Sequence, residues 1–204
     1  MDVLIRLEAE SDWREVESLT REAFWNLFKP GCDEHYLVHK LRQVPAFVRE
    51  LTFVACCDGR IIGNIMYSRA RVVNEAGGSQ EVLCMGPLAV LPEYQKHGVG
   101  AQLMRHSIER ARELGYKGVV IYGHPAYYPR FGYRDAGDYG IHMPDGGNMD
   151  AFMALELYTG ALNGINGRFF EDDVFHHLDS EEVERFDAGF PYREKLVTDT
   201  QFGQ

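Results

Sequence analysis

A mixed α/β domain is the fold class this sequence predicts, and three observations carry it. Short β-rich runs such as Leu51 to Cys57 end in turn signals such as Asp58-Gly59. Other stretches repeat apolar residues every three or four positions, as amphipathic helices do. The two kinds interleave in the order strand, helices, three strands, helix, strand, short helix, two strands. At 204 residues, 45% hydrophobic and 12% aromatic, the chain can bury one core, so one domain with a short extension is expected.

Val3 to Leu7 reads as the first strand. Ser11 or Asp12 then caps a helix reaching about Phe28, with Trp13, Val16, Leu19, Ala23 and Leu27 on one face, broken by Lys29-Pro30-Gly31. A second helix covers Glu34 to Gln43 and stops before Pro45. The hairpin at Asp58-Gly59 returns as a strand from Arg60 to about Val73, and Asn74 to Gln80 is the next loop. Glu81 to Val90 is a further strand that Gly86-Pro87 interrupts, because proline gives no ladder donor. A helix from about Gly98 to Leu114 carries Val99, Leu103, Met104, Ile108 and Ala111 at helical spacing, with Gly115 as its stop. Gly118 to Tyr122 is a short buried strand. Ala126 to Tyr133 forms one aromatic helical turn closed by Gly132, and Tyr139 to Met143 and Phe152 to Leu157 are the last strands. From Gly160 on, the chain is acidic between Glu171 and Asp187, with short helical potential near Ser180 to Phe186 and a polar end. Residues 1–160 are therefore read as the domain and 161–204 as an extension packing on it or on a partner.

The formal net charge of −10 argues against a broad nucleic-acid footprint. No apolar run approaches the roughly 18 residues of a membrane span, and the N-terminus lacks the pattern of a signal peptide. The four cysteines, Cys32, Cys56, Cys57 and Cys84, form no CxxC pair. Reduced thiols, a cytoplasmic protein and no zinc site are expected. His35 and His39 share a helix face without a further ligand in view, and are read as a surface pair.

The segment with readable chemistry is Gln95-Lys96-His97-Gly98-Val99-Gly100, lying between a strand and an amphipathic helix. A helix N-terminus leaves backbone N–H groups unpaired and carries partial positive charge, so it attracts anions. Glycines there let phosphate oxygens approach the backbone. A plain strand-to-helix turn that needs glycine for its dihedrals is the bland alternative. Neither Gly-x-x-x-x-Gly-Lys-Ser/Thr nor Gly-x-Gly-x-x-Gly after the first strand is present, which argues against a nucleotide P-loop and a dinucleotide site.

The run Cys84-Met85-Gly86-Pro87-Leu88-Ala89-Val90-Leu91-Pro92-Glu93-Tyr94 leading into that loop resembles the signature of GCN5-related N-acetyltransferases. Gly115-Tyr116 through Tyr127-Tyr128-Pro129-Arg130-Phe131-Gly132-Tyr133 resembles a second signature, and Asp58-Gly59-Arg60-Ile61-Ile62-Gly63 the family's hairpin. The likeness covers about residues 3 to 160 in the family's order. It implies a mostly antiparallel sheet, flanked by helices, in which two central parallel strands splay apart. It implies acetyl-CoA as co-substrate and no metal. The backbones of Leu88, Ala89 and Val90 would hold the pantetheine arm, and the amides of Gln95, Lys96, His97, Gly98, Val99 and Gly100 the pyrophosphate. Tyr128 would protonate the departing thiolate, with Tyr127 as its neighbouring candidate.

The implied activity is direct acetyl transfer to an amine of a small molecule or peptide. A non-catalytic acyl-CoA-binding sensor is the alternative, and a homodimer is compatible with either. An amine must lose a proton before it attacks, yet no base is evident. Where some members carry a glutamate, this chain has Cys84, Met85 and Gly86. Glu34, Glu81, His124 and His142 are weak candidates, and a water chain is another. Cys84 reads as a buried small residue rather than an acyl carrier, because no adjacent His or Lys lowers its pKa.

Overall fold

A computed structural model describes residues 1–201. Its strands form one nine-stranded sheet with the path β1 (Leu4–Leu7), β2 (Phe53–Cys57), β3 (Arg60–Val73), β4 (Ser79–Val90), β5 (Gly118–Tyr122), β8 (Phe152–Glu156) and β6 (Arg134–Asp135). The two-residue β7 (Ile141–His142) pairs with β9 (Gly167–Phe170), which itself joins β3. Neighbours on the main path are antiparallel except β4 and β5. That parallel contact is short, Leu83 facing Val119 and Cys84 facing Val120. Beyond it β4 continues along β3 and β5 along β8, so the two strands part.

Four α-helices cover the sheet among the described residues: α1 (Trp13–Phe24), α2 (Glu34–Leu41), α3 (Val99–Glu113) and α4 (Ser180–Asp187). Alternation along β3 assigns the faces. Ile65 and Tyr67 join the core that α3 closes, and the Tyr67 hydroxyl bonds Ser107 of α3 at 2.8 Å. Met66, pointing the other way, packs with Val38 and Leu41 of α2. Helix α3 ends as its glycine stop predicts, Gly115 N–H donating to Arg112 O and Tyr116 N–H to Ala111 O.

Several elements differ from the sequence reading. Helix α1 ends at Phe24, four residues early, because Trp25 leaves the helical region and its indole donates to Glu194 O at 2.9 Å. The Asp12 carboxylate does not cap α1; it pairs with Arg6 and accepts from Ala9 N–H. The strand expected over Tyr139 to Met143 shrinks to β7, its first residue closing a 3-10 turn, Ala136–Tyr139. Strand β9 was not expected at all. Gly167 enters it with φ 133°, where a Cβ would fall 2.2 Å from Val73 O, so a side chain cannot stand there.

Among the described residues, the stretch from Val174 to Asp187 lies on the α2 face. Val174 joins Val38, Leu41 and Met66 in a small core. Asp187 of α4 binds Arg21 of α1 at 2.6 Å, and Asp179 caps α4 by accepting from Glu182 N–H. Beneath, Arg42 spans Glu8 at 2.7 Å and Glu17 at 3.2 Å, all three side chains at least 94% buried.

Candidate active site

The gap where β4 and β5 part opens into a cleft of about 440 Å³. Leu88, Val90, Lys96, Gly98, Gly100 and Tyr128 are among its walls. Leu91 N–H donates to Ile62 O across the ladder to β3. By antiparallel alternation Ala89 therefore turns its N–H and C=O to Asn64, while Leu88 and Val90 turn theirs to the gap. The irregularity expected at Gly86-Pro87 is real: the β3–β4 register slips between Ile65 opposite Leu88 and Tyr67 opposite Met85.

At the cleft's mouth lies the N-terminus of α3. Its cap is Gly98 at φ 84°, a left-handed conformation that glycine tolerates, and no side chain bonds the first-turn amides. Gln95, Lys96, His97 and Gly98 are exposed, Gly100 is half-buried, and Val99 turns its side chain into the core. The Gln95 side-chain amide donates to Val90 O at 3.0 Å, occupying one acceptor of the open strand edge. Arg130 also lines the cleft and stacks over the Tyr127 ring at 4.7 Å, so Lys96 and Arg130 add positive charge where the amides point.

The two adjacent tyrosines separate clearly. A Cβ on Gly100 would lie 3.1 Å from the Tyr127 hydroxyl, which places that hydroxyl at the helix N-terminus. Tyr128 instead packs against Gly123, just beyond β5, where a Cβ would come within 2.3 Å of its ring. It also meets Tyr133 edge-on at 5.6 Å. Burial, with Tyr127 nearby, pushes the Tyr128 phenol up to about 12, so it stays protonated at neutral pH.

A family model described as the acetyltransferase (GNAT) family matches residues 17–133. The chain belongs to the GNAT family. YhbS of Escherichia coli strain K12, named an uncharacterized N-acetyltransferase, is 34% identical over 166 residues, covering 81% of this chain and 93% of YhbS. YjhQ, of the same strain and similarly named, is 38% identical over 135 residues, covering 66% and 70%. The crystal structure of E. coli YhbS in complex with CoA superposes with a TM-score of 0.76 at 31% identity, covering 87% of this chain and 93% of that one. A GNAT acetyltransferase from Brucella melitensis in complex with acetyl-CoA gives 0.69 at 26% identity, covering 85% and 98%.

In this GNAT acetyltransferase the weak candidates for a base are engaged elsewhere. Glu34 is half-buried beside its own helix start, accepting from Asp33 N–H at 3.1 Å, and desolvation raises its pKa. Glu81 is an exposed partner of Arg69. His124 accepts from Ala126 N–H and His142 faces Asn148, each within a local turn. His35 and His39 are no surface pair. His35 is fully buried between Cys32 at 3.4 Å and Asp187 at 3.1 Å, while His39 meets Glu17 at 2.9 Å. No cluster of three or more His, Cys, Asp or Glu side chains suited to a metal ion occurs among the described residues.

Cys84 is buried, and its thiol donates to Glu171 Oε2 at 3.0 Å. Burial and that carboxylate hold the thiol well above its usual range, so no thiolate forms. Sequence reasoning missed Glu171, taking it for the start of an acidic tail. The available signal was Gly167-Arg168-Phe169-Phe170, a glycine followed by a short β-prone run.

Proposed function

We propose that this chain transfers the acetyl group of acetyl-CoA to an amine of a small molecule or peptide, with the coenzyme seated in the cleft between β4 and β5. The observation carrying the reading is the coincidence of an open strand edge, an uncapped helix N-terminus and a protonated tyrosine along one cleft. The N-terminal amides of α3, from Gly98 to Gly100, meet the pyrophosphate, with Lys96 and Arg130 adding charge. Gln95 and His97 flank that cradle. The pantetheine arm takes the main-chain groups of Leu88 and Val90, displacing the Gln95 amide from Val90 O, and Ala89 keeps those two residues in register. Tyr128 faces the far end and donates its proton to the sulfur as the carbon–sulfur bond breaks.

Residues 1–160 form the acetyltransferase domain in this reading, and 161–204 an extension whose β9 completes the sheet beside β3. Four free cysteines and the absence of any helix long and apolar enough to cross a membrane, among the described residues, support a cytoplasmic setting. Calorimetry with acetyl-CoA tests the cleft: one coenzyme per chain is expected, and no binding refutes the reading. Thiol release from acetyl-CoA with a panel of amines tests the transfer. Binding without release for any amine would favour a sensor over an enzyme.

A further inference from the structure

The transfer leaves one requirement unmet, a group that takes the proton from the incoming amine. We propose that Glu171, supplied by the C-terminal extension, is that general base. The proposal rests on the acetyl-CoA reading above and adds a residue outside the span that the family model matches.

The argument is positional. Cys84 and Val120 are the last parallel pair before β4 and β5 part, so Cys84 stands at the apex of the gap. Its side chain points to the α2 face with Ser68, its partner across the ladder. There the thiol meets Glu171 Oε2 at 3.0 Å. Tyr128 packs with the α3-side core, so the proposed acid and base stand on opposite sides of the sheet at the end of one gap. A groove of about 450 Å³ between β3 and the extension, walled by Arg69, Ala70 and Phe170, opens onto Glu171 and offers an approach for the acceptor. The other carboxylate oxygen lies 3.2 Å from His176 Nε2, whose ring is half exposed.

The charged and titratable groups facing Glu171 are Cys84 of β4, Tyr122 of β5 and His176 of the following turn, with Asp172 and Asp173 alongside and Arg69 and Arg71 across the groove. Burial outweighs them and raises the carboxyl pKa. A carboxylate whose pKa has moved toward neutrality is a better proton acceptor than an exposed one. The steps balance. An N–H bond of the ammonium breaks and its proton goes to Glu171, then through His176 to solvent. The nitrogen lone pair forms the bond to the acetyl carbon. The carbon–sulfur bond breaks, its pair stays on sulfur, and sulfur takes the Tyr128 proton. Tyr128 regains a proton from the nitrogen's second N–H through water.

A crystal structure with acetyl-CoA and kinetics of Glu171→Gln test this together. In the complex, Glu171 should lie within hydrogen-bond reach, directly or through one water, of a point roughly 3–3.5 Å from the open face of the acetyl carbon. A carboxylate farther away overturns the assignment whatever the acceptor. Thiol release is followed from pH 5 to 10 with 1,5-diaminopentane. Wild-type kcat/KM should rise with pH and level off above the Glu171 titration. Glu171→Gln should be roughly 10²–10⁴-fold slower at neutral pH, still climbing with pH as free amine accumulates. Glu171→Asp should restore the plateau at a lower height. Acetyl-CoA affinity should match wild type in both variants, and their thermal midpoints should not fall. A Gln variant with the wild-type plateau, or with rate and midpoint lost together, overturns the proposal. Failure of the wild type to bind acetyl-CoA would instead refute the cleft reading.

Discussion

The mouth of the cleft and the α2 face of the sheet are built from different materials. At the mouth, main-chain groups do the positioning: the free edge of Leu88 and Val90, and the uncapped amides of α3. On the α2 face, side chains do it. Arg42 sits between Glu8 and Glu17, and Arg21 and His35 share Asp187. Backbone sites need little beyond glycine and a helix, so they expose charge to water and cost the fold little. Side-chain sites bury charge and depend on every partner being present. The comparison teaches that one sheet can carry an open main-chain edge and helix end, the proposed anion site, beside a tightly coupled ionic layer, and that substitutions should act differently on the two.

The largest effect should come from the chemistry between them. Tyr128→Phe keeps the ring on Gly123 and removes the proton, so turnover should fall roughly 10²–10⁴-fold while calorimetric acetyl-CoA affinity stays unchanged. Tyr127→Phe should do the reverse, with near-normal turnover at saturation and a modest change in affinity, because its hydroxyl sits at Gly100. Equal effects of the two would erase the distinction. Next in size is Arg42→Ala, which strands two buried carboxylates and should cost about 3–5 kcal/mol of stability in urea unfolding. Folded molecules should still bind coenzyme.

The ionic layer also predicts a pH dependence that the mouth does not share. Burial lowers His35 from 6.5 to about 4 despite Asp187 beside it. Below pH 6.5 the unfolded chain takes up a proton that the folded chain refuses. Stability should therefore be full above that pH and fall by about 3 kcal/mol as pH drops toward 4. Thermal melts of wild type and His35→Gln should diverge in slope across that window. Parallel curves would mean His35 is protonated in the native state. The smallest effect belongs to the mouth itself. Gly100→Glu sets a carboxylate in the proposed pyrophosphate cradle and should cost roughly 10–100-fold in acetyl-CoA affinity, the worth of one lost charge-assisted bond.

The same contrast explains what was legible in the sequence. The bounds of β3 and β5, the Asp58-Gly59 turn and the α3 cap were readable because glycine, proline and alternation write local structure locally. So was the candidate anion loop, a continuous segment. The early end of α1 was not, because Trp25 turns away to meet Glu194, far along the chain. Nor was the partner of β9: its glycine-led β-prone run is visible locally, but it pairs with β3 about a hundred residues earlier. His35 read as a surface residue because its burial depends on Phe186, Phe190 and Asp187 of the extension. Glu171 was invisible for the same reason: its neighbours Cys84 and Tyr122 come from other strands, and nothing in its own segment names them.

Amide hydrogen exchange with and without acetyl-CoA tests the central claim, that main-chain groups of the β4 edge and the α3 N-terminus hold the coenzyme. Saturating acetyl-CoA should slow exchange at Leu88, Val90 and the amides from Lys96 to Gly100, and leave Ala89, already bonded across the β3 ladder, nearly unchanged. Protection confined to other segments, with these amides exchanging as fast as in the free protein, would contradict it.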